Sequence, residues 1–240
     1  MPGSHYIALS GLRARVDELD RLAADIANVG TAGYKGERDT TAAAERPSFD
    51  RSLQSAIDTT HGGRRLDMTD GAIASTGRPL DVALDGEGFF VVDTPEGPRY
   101  TRNGHFTIDA NRKLVTEDGF DVRGADGPIT LGDGEIRVDG DGAIWAGQTK
   151  AGKLSVVKFD DPGQLMRDAG SRLKAGTQEA HAIDTPSMRA GSLEQSNVSV
   201  ADRIAQLTTV SRGFEALQKS ISMLMNDVDG RAIDSLGRRG

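Results

Sequence analysis

The side chains best suited to chemistry are scattered through this sequence. The four histidines fall in four separate segments, and none has a second histidine or a carboxylate at a metal-ligand spacing such as H-E-x-x-H. They are His5, His61, His105 and His181. The chain has no cysteine, which excludes disulfides, thiolate metal ligands and a cysteine nucleophile. We therefore expect no metal site.

The acidic stretch Asp139 to Gly142 resembles the start of a calcium-binding loop. A complete loop needs Asp or Asn at its fifth position and a bidentate Glu at its twelfth, but Ala143 and Lys150 stand there. Glycoside hydrolysis needs two carboxylates in the right geometry, and no spacing in the chain selects such a pair. The sequence also lacks a dinucleotide fingerprint, a phosphate-binding loop and a G-x-S-x-G motif. We expect no catalytic residues and no cofactor.

Composition narrows the class of protein. The 240 residues, 37% of them hydrophobic, suit one or two domains with a modest core. The 36 acidic and 29 basic residues give a net charge of −7, which argues against a nucleic-acid surface. No window approaches 18 apolar residues, so we expect no stable membrane insertion. The start, Met1 to Leu12, lacks the regions of a cleaved Sec signal.

The last long stretch, Val200 to Val228, repeats apolar side chains at the a and d positions of heptads. This pattern predicts a coiled-coil helix about 43 Å long, beginning at the N-cap Ser199 and ending at Gly230. The e and g positions carry little charge, so we expect neighbours on several sides. Gly213 in mid-helix predicts the close approach of another backbone. The alternative is an amphipathic helix packed on its own domain.

A second heptad segment, of about Ile7 to Val29, opens the chain and stops at the glycines of Gly30 to Gly33. We expect the two terminal helices to meet outside the middle of the chain and to supply an assembly interface, with Gly213 as its close-packing residue. The predicted interface residues are Leu9, Leu12, Val16, Leu19, Ile26, Val200, Leu207, Val210, Phe214, Leu217, Ile221, Leu224 and Val228.

The middle of the chain alternates short β-type runs with Asp-Gly and Glu-Gly turns, which predicts an antiparallel all-β domain. The expected fold is therefore α+β, with terminal helices at residues 1–35 and 191–240, an extended connector at 36–76 and a β domain at 77–190. A short helix is expected around Phe49 to Ile57. The β-type runs are Leu80 to Leu84, Phe89 to Val92, Tyr100 to Thr101, Phe106 to Ile108, Leu114 to Thr116, Ile129 to Leu131, Glu135 to Val138, Ala143 to Trp145 and Leu154 to Phe159.

Four ordered blocks carry a family resemblance. Ser10 to Leu12 with Ala23 to Lys35 is similar to the pattern A-N-N-L-A-N-x-x-T-x-G-[FY]-K of the bacterial flagellar rod and hook proteins. Pro79 to Val91, Tyr100 to Phe106 with Leu114 to Gly119, and Gly191 to Val198 resemble further blocks of that family. Two asparagines of the pattern are replaced by Ala24 and Asp25. The charge of Asp25 near a helix C-terminus is expected to be mildly unfavourable.

The resemblance implies a structural subunit of the flagellar basal body, in the rod that crosses the periplasm. It implies terminal helices that form a coiled-coil tube, a β domain outside it, rod subunits as partners and export by the flagellar type III apparatus. Within the family the short connector resembles that of the proximal rod protein, and the distal rod protein is the alternative. From other classes, a β-rich glycosidase leaves the matched heptads unexplained, and a coiled-coil-tethered adhesin or carbohydrate-binding protein would usually carry a Sec signal.

Overall fold

The computed structural model of the chain describes residues 3–39 and 64–237. Helix α1 spans Gly3–Ala27 and helix α2 spans Val200–Gly237, with β structure between them. The expected α+β order of helix, β domain and helix is therefore confirmed. The helix expected around Phe49 to Ile57, and most of the expected connector, lie outside the described residues.

Helix α2 begins where the sequence placed it but ends later. The hydroxyl oxygen of Ser199 accepts a hydrogen bond of 3.4 Å from the backbone N–H of Asp202, which is the expected N-cap contact. The prediction that the helix ends at Gly230 is wrong, because α2 continues to Gly237. A single glycine costs a helix only about 1 kcal/mol relative to alanine, and the good helix formers Arg231 and Ala232 follow it.

The described strands are short, and they begin within the stretch expected to be an extended connector. They are β1 (Glu37–Asp39), β2 (Arg64–Leu66), β3 (Ile73–Ser75), β4 (Val82–Leu84), β5 (Phe89–Thr94), β6 (Gly97–Thr101), β7 (Phe106–Ile108), β8 (Leu114–Thr116), β9 (Asp121–Gly124), β10 (Gly127–Pro128), β11 (Ile136–Val138), β12 (Ala143–Ala146), β13 (Thr149–Lys153), β14 (Val156–Lys158), β15 (Met166–Ala169), β16 (Arg172–Lys174), β17 (His181–Ala182), β18 (Met188–Ala190) and β19 (Ser192–Glu194). A 3-10 turn spans Pro162–Gln164.

The chain divides into two compact units. The described part of the first consists of residues 3–26, Asp39 and residues 199–237, and its two helical segments are called the helix pair below. The second contains Ala27–Arg38 and Arg64–Val198, and is called the β unit. In the β unit the longest path through the main sheet runs β15, β16, β6, β5, β9, β8, β7, with β14 also pairing with β5. Strands β11, β12 and β13 form a separate antiparallel sheet.

Strand β5 is buried on both faces, which explains its unbroken apolar run. Phe90 belongs to one core cluster and packs edge-on against Phe106, with ring centroids 5.1 Å apart. Phe89 and Val91 point to a second cluster, where Phe89 lies 5.8 Å from the ring of Phe159. Because successive side chains of a strand point to opposite faces, one short strand divides the interior of the β unit into two cores.

The predicted turns and strands agree with the structure in most places. Gly97 and Gly119 have φ angles of 106° and 81°, as their hairpin turns require. The strand predicted at Ile129 to Leu131 is wrong: both of these side chains are buried, but the backbone makes only an isolated bridge at Thr130. Strands β9, β10, β13 and β15 to β19 lie outside the predicted β-type runs. Of these, β15 and β16 carry many charged residues and lie at one end of the main sheet, where alternation of apolar side chains is not needed.

Candidate functional site

Helix α2 turns its heptad face toward α1. Val210 is buried, and Leu207, Phe214 and Leu217 are half-buried, whereas the residues between them are mostly exposed. A Cβ atom placed on Gly11 of α1 would lie 3.8 Å from Leu217 Cδ2. The predicted interface positions on this helix therefore pack, at least in part, against the other helix of the same chain.

Helix α1 is buried most deeply beside the apolar stripe that its heptads indicated. Leu22 is completely buried, while Val16 of the predicted interface is 39% exposed. Leu12, Leu19 and Ile26 of the same apolar stripe are half-buried. The stripe is therefore only partly covered within the chain. For four predicted interface residues, the side-chain surroundings lie outside the described part of the structure: Leu9, Ile221, Leu224 and Val228.

A buried ion pair joins the two helices. Asp25 is 1% exposed, and its Oδ2 atom lies 3.0 Å from Nε of Arg203, which occupies a d position of α2. Since Asp25 meets Arg203 and Gly11 meets Leu217, the helices run antiparallel. This partner offsets the unfavourable effect expected for the charge of Asp25 near the end of α1. A buried polar contact of this kind fixes the register of two packed helices.

Gly213 is exposed on α2. A Cβ atom placed on it would meet nothing within 4 Å. Within the described part of the chain, no other backbone approaches this glycine. Its expected close-packing role therefore requires a neighbouring molecule.

The segments that follow α1 and precede α2 are bonded to each other in the β unit. We call Gly33 to Gly36 and Glu194 to Asn197 the neck. The backbone N–H of Gly33 donates to the carbonyl oxygen of Glu194 at 2.7 Å, and that of Gly36 donates to Asn197 Oδ1 at 2.8 Å. Asn197 Nδ2 donates in turn to the carbonyl oxygen of Asp67 at 2.7 Å. The segments that follow α1 and precede α2 are thus held side by side within the β unit.

A cluster of buried charges lies in the neck, centred on Glu194. Its side chain is 2% exposed. Lys35 Nζ donates to Oε1 at 2.6 Å, the N–H of Gly71 donates to the same atom at 3.0 Å, and Arg102 Nε lies 2.9 Å from Oε2. Arg102 also donates to the carbonyl oxygens of Gly86 and Gly88. A carboxylate enclosed by two cations and a peptide N–H offsets its desolvation by charge-assisted hydrogen bonds.

Close backbone packing surrounds this charge cluster. A Cβ atom on Gly71 would lie 1.9 Å from the carbonyl oxygen of Gln195. Gly33 has a φ angle of 64°, and its Cβ atom would lie 2.3 Å from backbone atoms of Arg102 and Asn103. There is no room for a side chain at either position. This steric constraint explains why glycine occupies position 33 in the N-terminal signature.

Beside the neck, Arg167 stacks on the buried ring of Tyr34, with its Cζ atom 4.1 Å from the ring centroid. The neighbouring Asp168 is held by Arg99 and Lys174, whose side-chain nitrogens lie 2.9 and 3.1 Å from its oxygens. Burial raises the pKa of Asp168, but hydrogen bonds from Arg99 and Lys174 outweigh this effect, and the pKa lies below its usual value. Asp168 therefore acts as a structural anion.

The sequence motifs include Lys35, Arg102, Glu194 and Asn197, but no role was predicted for these residues. Each of these residues stands in a different block or at a different place of the family pattern, and together they carry complementary charges and amides. That complementarity was the available signal. No short-range spacing revealed this complementarity, because Lys35 and Glu194 are 159 residues apart.

The histidines do not converge on one centre. His105 Nδ1 lies 2.8 Å from Asp81 Oδ1, and its Nε2 lies 3.1 Å from Nη1 of Arg78. In the parts of the chain that the structure covers, no three His, Asp or Glu side chains are arranged to hold a metal ion. None of the described helices combines the length and apolarity needed to cross a membrane.

Comparison with known proteins identifies the family. Residues 83–146 match the model of the flagellar hook protein FlgE/F/G D1 domain, and residues 189–228 match that of the flagellar basal body rod FlgEFG protein C-terminal region. The flagellar basal-body rod protein FlgF of Rhizobium meliloti is 34% identical over 97% of both chains. That of Escherichia coli is 33% identical over 95% of both. The rod protein FlgG of Bacillus subtilis is 30% identical over 91% of this chain and 94% of its own.

These matches extend over the whole length of the chain and include the strands and segments that build the neck. The chain therefore belongs to the flagellar basal-body rod protein family, the structural proteins of the rod in the bacterial flagellum, and within that family it is similar to FlgF.

Proposed function

We propose that this protein is a structural subunit of the proximal part of the rod, and that its terminal helices join neighbouring subunits into a helical tube that transmits motor torque. Other rod subunits are its partners, and it reaches the rod through the flagellar type III export apparatus. The predicted coiled-coil character of the helices belongs to this proposal, since it concerns contacts between chains. The distal rod protein is the alternative identity, and the resemblance to FlgG keeps it open.

The observation that carries the proposal is the incomplete burial of the helix pair. Val16 of α1 is 39% exposed, and Val200 and Ile204 of α2 are 40% and 50% exposed. Burying apolar area is worth about 25 cal/mol per Å², so an open apolar stripe favours association with another chain. With 38 residues, α2 is about 57 Å long. A helix of that length offers contact area to several neighbours.

The neck supports a mechanical role for the β unit. Its buried ion cluster ties the chain segments at both helix ends to the same strands and turns, through Glu194, Lys35 and Arg102. A load carried by either terminal segment would reach the β unit through these bonds. No step of this proposal needs a reaction or a cofactor.

An aspartate on the open stripe tests the proposal. Val16→Asp changes a partly exposed side chain, so we expect the folded chain to lose little stability, but the charge would be buried in each contact with a neighbour. Cells that make only this variant should lack completed rods in electron micrographs and should not swim. Val16→Leu keeps the position apolar and should preserve both. Normal swimming with Val16→Asp would remove α1 from the assembly surface.

A further inference from the structure

Two side chains of the neck are chemically able to react with each other. Lys35 ends in a primary amine, and Asn197 ends in a carboxamide. Both donate to one backbone carbonyl oxygen, that of Thr69, with Lys35 Nζ at 2.7 Å and Asn197 Nδ2 at 3.2 Å. Donors that follow the two lone pairs of one carbonyl oxygen lie roughly 5 Å apart. The amine and the carboxamide are therefore close neighbours.

A proton acceptor is already bonded to this amine. Lys35 Nζ donates to Oε1 of Glu194 at 2.6 Å, and both side chains are 2% exposed. An ammonium group must lose a proton before its nitrogen can attack a carbonyl carbon, and a carboxylate at hydrogen-bond distance can take that proton. Burial of both side chains also limits the access of water to the amine. Glu194 is thus placed to act as the general base.

The carboxamide of Asn197 is held in place and polarised. Its Oδ1 atom accepts a hydrogen bond of 2.8 Å from the backbone N–H of Gly36, the residue next to Lys35. Its Nδ2 atom donates to the carbonyl oxygen of Asp67 at 2.7 Å and lies 3.1 Å from Thr69 Oγ1. A peptide N–H bonded to the carbonyl oxygen stabilises the negative charge that develops there when a nucleophile adds. The remaining contacts fix the orientation of the group.

We propose that Lys35 and Asn197 of one chain become joined by an amide cross-link. Rotation within the flexible stem of Lys35 brings Nζ to the Cγ atom of Asn197. Glu194 takes a proton from Nζ, the lone pair of Nζ adds to Cγ, and the bond between Cγ and Nδ2 breaks. Nδ2 receives the two protons that Nζ has lost, the first of them through Glu194, and leaves as an ammonium ion. One carbon–nitrogen bond replaces another, so the reaction consumes no oxidant, reductant or co-reactant.

The cross-link would connect the segment that follows α1 to the segment that precedes α2. It closes a ring of chain from Lys35 to Asn197 that contains most of the β unit. A load that reaches the neck would then pass through a covalent bond in addition to hydrogen bonds and ion pairs. The reaction takes place within one chain, so the inference depends neither on the rod assignment nor on contacts between subunits.

Mass spectrometry of the full-length chain tests the cross-link. The folded protein would be purified and incubated, then denatured and digested with trypsin. We expect more than half of the chains to be lighter by the mass of one ammonia molecule. The digest should contain one product in which the peptides of Lys35 and Asn197 are joined, uncleaved after Lys35 because its charge is lost. Wild-type chains of full mass without this product would overturn the proposal.

Lys35→Arg is the matched control. Arginine keeps a positive charge beside Glu194, but its guanidinium stays protonated and cannot attack the carboxamide. This variant should have its full mass and no joined peptide. An ammonia loss that persists in it would come from another asparagine, such as Asn103 before Gly104, and would overturn the proposal. Glu194→Gln should lower the joined fraction at least tenfold, and an unchanged fraction would exclude Glu194 as the general base.

Discussion

In the β unit, strand β5 is buried on both faces and Glu194 is enclosed by Lys35 and Arg102. In the helix pair, the ion pair of Asp25 with Arg203 and a packed apolar face lie between two long helices, while Val16 and Ile204 are exposed. The β unit covers most of its large apolar side chains by itself, with Ile73 and Met166 as exposed exceptions. The helix pair leaves apolar side chains uncovered in the described chain. Under the proposed function, assembly and folding would therefore depend on different parts of one chain.

The largest effect should follow from a charge on the packed face of α2. Phe214→Asp or Leu217→Asp would bury an unpaired carboxylate at a cost of several kcal/mol, repeated at every copy in the polymer. We expect the variant to be produced and exported, to show the thermal transition of the β unit, and to leave cells without a completed rod. Scanning calorimetry and electron microscopy measure the two properties.

Arg212→Ala is the matched control for that experiment. Arg212 is exposed at an outward position of the same helix and should tolerate the change with normal swimming. If Phe214→Asp instead unfolds the β unit, the helices and the β unit form one cooperative structure, and the contrast between them is broken.

The next largest effect should follow from a substitution in the neck, and it concerns the stability of the β unit. Glu194→Gln leaves Lys35 and Arg102 buried without their common anion, and removing one member of a buried ion cluster typically costs about 3–5 kcal/mol. Denaturant titration should show that loss in the free energy of unfolding of the β unit. Glu179→Gln changes an exposed carboxylate and should have almost no effect. Equal stability of the two variants would show that the buried cluster contributes nothing.

Gly213 sharpens the comparison within the helix pair. Since nothing in the described chain lies within 4 Å of an added Cβ atom, Gly213→Leu should leave the isolated subunit folded and slightly raise its helix content. If a neighbouring backbone packs there in the rod, overpacking would cost about 1–3 kcal/mol per contact and block assembly, with Gly213→Ala milder. A swimming assay separates the cases, because normal motility of the leucine variant would place this position in open space.

The smallest effect concerns Asp168 and depends on pH. Its folded pKa is depressed, so its carboxylate stabilises the β unit above the unfolded pKa of about 3.9 and loses that contribution as the pH falls through the folded value. Asp168→Asn should lower the stability at pH 7 by about 0.2–1 kcal/mol, the range of partly exposed pairs. Urea titrations of both proteins should converge once the pH has fallen below the folded pKa of Asp168. A difference that persists in acid would assign the effect to packing.

Much of the fold followed from local sequence patterns. Heptads predicted both helices, and glycine turns together with apolar runs such as Phe89 to Val92 predicted most central strands. The charged strands β15 and β16 were missed, because β16 pairs with β6, far away along the chain, and β15 pairs only with β16 among the described strands. The end of α2 was wrong because one glycine is too small a penalty to stop a helix.

The candidate site was predictable only in part. Apolar periodicity marked Leu207, Val210 and Phe214, but it could not tell which face of α1 meets them, since Leu22 and Asp25 lie outside the stripe it selected. Apolar periodicity gave no signal for the ion cluster of the neck. Lys35 and Glu194 meet only after the intervening strands have folded, and a pairing between distant charges leaves no local pattern.

The long separation of Lys35 and Glu194 along the chain also affects the order in which the protein folds. The contact of Lys35 with Glu194 closes a loop of 159 residues, and the loop entropy makes this about 3 kcal/mol less favourable than closing a turn of about five residues. Contacts so distant in sequence are expected to form late, after local hairpins have shortened the effective chain. The contacts of the neck should therefore form last, after the rest of the β unit has folded. A variant such as Glu194→Gln would then refold at nearly the wild-type rate and unfold much faster. The contacts of the neck would therefore set the unfolding rate of the folded subunit.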